Sequence, residues 1–179
     1  MKILNFLKRK KSFSQLSAEE KRIAIAKDVI ARIKVSQFKP IRGWIWKFSD
    51  KQMRETNPLK PLHEIVLEKQ NCSVCAKGAL FMSCVGFTNN MLFDDVRDRQ
   101  SQFDDEKQQK SITKVFSKTQ LEMIETSYEK KYFGWNYTLL NKQKEQEKCI
   151  AFGKKFGNDK DRMIGICKNI IKNNGTFKP

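Results

Sequence analysis

Two cysteines two residues apart, Cys72-Ser-Val-Cys75, are the sharpest chemical signal in this 179-residue chain. Such a pair can supply half of a tetrahedral zinc site or close a redox disulfide. A closed zinc site needs four ligands. No second pair of this kind occurs, and the extra donors at hand, Cys84 and His63, stand at unusual spacing. A redox pair at a helix N-terminus is chemically sensible, because the dipole there favours thiolate. A thioredoxin-type site also wants a βαβ setting, which this stretch lacks. The pattern therefore reads as ordinary thiols packed at the start of a buried helix, with no metal or other cofactor expected. His63 is the single histidine of the chain, so Cys/His catalysis would have to pair it with a cysteine, and no spacing supports that. A Gly-rich phosphate loop, a nucleophile elbow and a His-metal motif are all missing from the sequence. The five cysteines are odd in number and mostly in apolar surroundings, which points to reduced thiols in a cytoplasmic protein.

The second chemical candidate is the acid run at 94–106. It holds six carboxylates (Asp94, Asp95, Asp98, Asp104, Asp105, Glu106) and two arginines (Arg97, Arg99). Clustered acids can hold the metals of a nuclease, and a basic protein would suit its substrate. These acids sit in one run and lack the Gly and ligand spacing of a calcium loop. An exposed acidic loop or helix edge is the expected outcome. A metal-dependent nucleic-acid enzyme stands as the alternative to a non-catalytic protein.

Charge is the broadest clue to partners. Lys and Arg number 36 against 20 Asp plus Glu, a net charge of +16. Such a surface attracts polyanions: nucleic acid, a nucleoprotein, an acidic protein or an anionic membrane. Residues 1–40 hold eleven bases and three acids, and residues 139–179 hold ten and four. The first helix and the last two are thus expected to share a basic face. The candidate contacts are Lys8, Arg9, Lys10 and Lys11 in an N-terminal arm, Arg22 and Arg32 on the first helix, then Arg42, Trp44, Lys47, Lys154 and Lys155. Trp44, Trp46 and Phe48 alternate as in a strand. Two Trp on one face can stack bases, although Trp is heavily buried on average and a core role is preferred. RNA is favoured over DNA as the partner, because unpaired bases can stack on an aromatic such as Trp44.

The elements that must position these residues are organised around the apolar stretch 71–93. From 74 to 87 the one charged side chain is Lys77, and the run is too short to span a bilayer, which takes ~20 residues. It reads as a helix at about 73–88, buried on most sides, with Asn89-Asn90 as its stop. Ser17 and Glu20 form a capping box before a helix at 18–36, whose Ile23, Ala26, Ile30 and Ile33 share a face. Leu62 and Ile65 suggest a short helix. Ser117 and Gln120 predict a second capping box before a helix at 118–131. Helices at 138–153 and from 158 or 159 follow, the last stopped by Asn173-Asn174-Gly175. The expected fold is mainly α: one compact domain, 14–179, of five or six helices around a buried central helix with a short β element. Residues 1–13 form a basic arm before it.

Three pieces in order carry a resemblance: RIAIAKDV at 22–29, NCSVCAKGALF at 71–81 and RMIGICKNIIKNNGTFKP at 162–179. Together they resemble small accessory proteins of tailed bacteriophages and prophages. That family has no established activity and supplies no catalytic residues. The resemblance implies a cytoplasmic accessory protein in a bacterial host. By analogy with small phage proteins that disable host machinery, it implies an anti-defence, anti-CRISPR-like inhibitor of an RNA-guided nuclease. A virion or DNA-packaging accessory is the other role it allows.

Overall fold

The computed structural model describes residues 12–67, 72–97, 106–130 and 143–179. Helix α1, Ala18–Lys34, starts where the capping box predicts. The Ser17 amide donates to Glu20 Oε2 at 2.8 Å, and the Glu20 amide donates to Ser17 Oγ at 3.2 Å. Ile25, Ala26, Val29 and Ile33 face the core. Strands β1, Phe38–Pro40, and β2, Trp46–Phe48, follow, then α2, Asp50–Glu55, and α3, Leu62–Leu67. Strand β3, Cys72–Val74, is the middle of a three-stranded sheet of order β1-β3-β2. It pairs parallel with β1 and antiparallel with β2, so that Trp46 lies opposite Val74 and Phe48 opposite Cys72. The two-residue period puts Trp46 and Phe48 in the core and Lys47 in solvent.

Helix α4, Ala76–Thr88, is the central helix, and it is buried from Gly78 through Val85. It starts later than expected because the sheet claims residues 72–74. Cys72 is therefore a strand residue, and Cys75 alone stands at the helix start, where its Sγ accepts from the Gly78 amide at 3.4 Å. The helix ends on Asn89, which adopts the left-handed conformation at φ 47°. Helices α1, α3, α6 and α7 pack around it. Gly78 lies so close to β2's approach that a Cβ there would overlap the carbonyl oxygen of Ile45.

The remaining helices are α5, Asp94–Arg97, α6, Glu106–Thr113, α7, Lys118–Glu129, α8, Gln143–Lys154, and α9, Asp159–Lys172. Helix α9 packs on α1, and α8 packs on α7. The architecture is mainly α with a short β element, and one hydrophobic cluster runs through the described residues. There are nine α-helices among those residues, more than the sequence suggests, because α2, α5 and α6 are too short to show a helical period. The second capping box forms only in half. Ser117 Oγ accepts from the Gln120 amide at 3.2 Å, but the Gln120 side chain turns away to clamp the C-terminal segment. It accepts from the Phe177 amide at 2.7 Å and donates to the Phe177 carbonyl at 3.3 Å. Among the described residues no helix is long and apolar enough to cross a membrane.

Candidate nucleic-acid interface

The loop between β1 and β2 is pinned onto the ends of two helices. The Gly43 amide donates to Glu129 Oε1 at 3.1 Å, at the C-terminus of α7. Arg42 Nε lies 3.2 Å from Asp159 Oδ1, at the N-terminus of α9. Asp159 is shared, since Arg162 Nη1 donates to the same oxygen at 2.6 Å. Two carboxylates, Asp159 and Glu129, thus stand with two guanidinium groups, Arg42 and Arg162, and the junction itself is charge-balanced. Arg162 Nε also donates to the Gly153 carbonyl at 3.0 Å, which ties in the end of α8. Five exposed side chains surround this junction or flank it in the chain: Arg42, Trp44, Lys154, Lys155 and Lys160. Trp44 is 46% exposed while Trp46, two residues on, is fully buried. The alternation that suggested a shared face breaks here because β2 begins only at Trp46.

The other sequence candidates divide. Lys47 is exposed on β2. Lys155 Nζ stands 5.4 Å above the Phe152 ring, which holds its stem without neutralising its charge. Arg22 and Arg32, expected as phosphate contacts, are committed inside the fold. Arg22 donates to the Gly175 carbonyl at 2.6 Å and the Val115 carbonyl at 3.0 Å, so it joins α1 to two distant segments. Arg32 is 8% exposed, paired with Asp28 at 2.6 Å and stacked over Phe38. Neither guanidinium is presented to a ligand. Lys8, Arg9, Lys10 and Lys11 lie outside the described residues. Exposed Lys27 and Lys34 on α1 and Lys168 and Lys172 on α9 belong to two helices packed together, whereas α8 sits against α7. Lys160, which was not among the candidate contacts, is exposed and follows Asp159, the partner of Arg42.

The acid run shows no shared metal cage among the described residues. Burial pushes the Asp95 carboxyl up, but hydrogen bonds from Lys107 at 2.7 Å and the Leu92 amide at 2.8 Å outweigh it and hold the carboxyl below its usual value. Glu106 pairs with Lys110 at 2.6 Å. Asp98, Asp104 and Asp105 fall outside the described residues. His63 is half-buried on α3.

All five thiols are free and buried. Burial pushes Cys75 and Cys167 up to about 12 and Cys84 up to about 11, and raises Cys72 and Cys149 as well. Such thiols are not nucleophiles at neutral pH. The folded chain holds these protons above the unfolded thiol value of roughly 8.5, so the folded state then binds more protons than the unfolded one. Stability from this source should be full below that pH and fall as pH climbs toward 11 and 12. Urea midpoints at pH 7, 8 and 10, with alkylation of native protein alongside, check it. Equal midpoints at all three pH values, or rapid native alkylation of Cys75 at pH 8, would contradict the burial.

Comparison with known proteins finds no match to this chain among family models, curated proteins or solved structures.

Proposed function

We propose that this protein binds nucleic acid, or a nucleoprotein, without catalysing a reaction on it, and that the surface around Trp44 makes the contact. The observation that carries the reading is a half-exposed indole on a pinned loop, two residues from the half-exposed Arg42, with exposed Lys154, Lys155 and Lys160 next in the chain to the residues that pin the junction. Aromatic faces stack on unpaired bases while cations follow the phosphates. The net charge of +16 adds a long-range attraction for such a ligand. Single-stranded RNA is the favoured nucleic acid. An RNA-guided nuclease of a bacterial host is the nucleoprotein that the sequence resemblance favours, with the protein acting as its inhibitor in the cytoplasm.

Gel shifts with short RNA and DNA across a salt series test the reading. Affinity should fall steeply with salt, with a log-log slope of about −0.7 per phosphate contact on single strands. Trp44→Ala should weaken binding by roughly tenfold, the loss of one stacked base, and leave the slope unchanged. Lys154→Ala with Lys155→Ala should flatten the slope for every sequence alike. Absence of binding at low salt, or full affinity in Trp44→Ala, would overturn the proposal.

A further inference from the structure

An open groove of about 430 Å³ lies between the turn at Phe13–Gln15, the C-terminal end of α4 and the residues after α6. It sits at the opposite end of α4 from the Trp44 loop. Gly78 touches Ile45, whereas Phe87 lines the groove, and nine helical steps of about 1.5 Å place them about 13 Å apart along the axis. Its volume falls in the range of small-ligand sites, roughly 300–1,000 Å³. No carboxylate lines it, yet two lysines do, Lys21 and Lys114. Among the described residues neither lysine has an acidic partner. Lys21 Nζ instead stands 6.0 Å from the Phe13 ring.

The apolar side of the groove is aromatic. The Phe13 and Phe87 rings stack at 4.5 Å and 4°, and Phe87 is 41% exposed. The polar side keeps donors in reserve. The Ser12 and Ser14 hydroxyls share one hydrogen bond at 2.9 Å, which leaves one O–H free. Asn90 uses an amide hydrogen toward Ser111 at 3.4 Å and has a second. Unneutralised cations and spare donors on one side of a cleft, and a stacked aromatic pair with Phe87 partly exposed on the other, fit an anion joined to a planar ring.

We propose that this groove binds a nucleoside phosphate, with the base against the Phe13–Phe87 pair and the phosphate held by Lys21 and Lys114. The ligand can be a free nucleotide or one nucleotide of a strand, since both present the same chemistry. The site does not depend on the Trp44 reading, and its test separates the two.

Titration calorimetry with AMP, adenosine and inorganic phosphate, followed by a short oligoadenylate, decides it. AMP should bind saturably, with adenosine and phosphate each about tenfold weaker or more, because each keeps only half of the contacts. Lys21→Ala with Lys114→Ala, and separately Phe87→Ala, should each reduce AMP affinity about tenfold, while Trp44→Ala leaves it unchanged. Lys114→Glu, at an exposed side chain, serves if the double variant melts early. Oligoadenylate binding that falls with the same variants assigns the groove to a strand, and AMP binding alone assigns it to a free nucleotide; either supports the site. Absence of saturable AMP binding at on the order of 10 mM, phosphate binding as tight as AMP, or wild-type AMP affinity in the lysine variants would overturn it.

Discussion

Phe81→Ala should lower the unfolding free energy by about 3–5 kcal/mol, and Leu80→Ala by about 2–5 kcal/mol. Both side chains are essentially inaccessible, at 0% and 1% exposure, near the middle of α4. Phe81 stacks on Trp46 with ring centres 5.2 Å apart and planes 19° from parallel. Trp46 is held on its other edge, since its Nε1 donates to the Val96 carbonyl at 3.1 Å. An indole fixed by a hydrogen bond and a strand cannot swing into the space that Phe81 leaves. The cavity therefore stays open, and Phe81→Ala belongs near the upper end of its range. Urea denaturation measures this as a lower midpoint with an unchanged slope. Midpoints of both variants within error of the wild-type value would remove α4 from the centre of the core.

Much of α4 is legible before any coordinates, because a long apolar run with one charge cannot lie on a surface. Its start is not legible. Val74 and Cys75 continue the apolar run without a break, so nothing local marks where strand becomes helix. The boundary is set by β1 and β2, which approach from residues 38–40 and 46–48. The alternation of Trp46, Lys47 and Phe48 marks β2 but does not say that residues 72–74 pair with it. The capping signals show the same division. Ser17 and Glu20 meet each other's backbone and form the full box. Gln120 finds the backbone of Phe177 instead, a contact 57 residues away that no local pattern encodes.

The candidate surface was legible in composition and not in placement. An excess of bases raises the expectation of a polyanion partner, but it does not say which bases are free. Arg22 and Arg32 look like Arg42 in the sequence, and each is a cation beside an apolar stripe. Only packing separates them: two donate into the fold, and one stands half-exposed beside an exposed indole. Trp44 and Trp46 differ in the same way, since one precedes the strand and the other begins it.

Arg162→Ala should cost about 3–5 kcal/mol, although its residue type suggests one more surface cation. Its side chain is 1% exposed. The guanidinium donates to the carbonyls of Tyr128 at 3.1 Å, Gly153 at 3.0 Å and Phe156 at 3.4 Å. Tyr128 and Gly153 lie in the last turns of α7 and α8, where carbonyls have no partner within their own helix. A fixed cation there also meets the negative end of two helix dipoles. Asp159 balances the charge at 2.6 Å. Removing the side chain strands the buried Tyr128 carbonyl and leaves the Gly153 carbonyl with the Phe156 amide at 3.4 Å, and a stranded buried acceptor costs about 1–3 kcal/mol before relaxation. Arg162→Lys should recover little, because an ammonium cannot reach carbonyls on two helices and a carboxylate with one planar fork. The effect should also reach the proposed interface. Asp159 would keep Arg42 as its remaining guanidinium partner, so the junction beneath the Trp44 loop would lose one positive charge and its anchor to α8. Denaturation midpoints and amide exchange across 153–162 measure the first effect, and the RNA gel shift measures the second. A loss under about 1 kcal/mol in Arg162→Ala, or a lysine variant as stable as the wild type, would show that these helix ends are held by something other than Arg162.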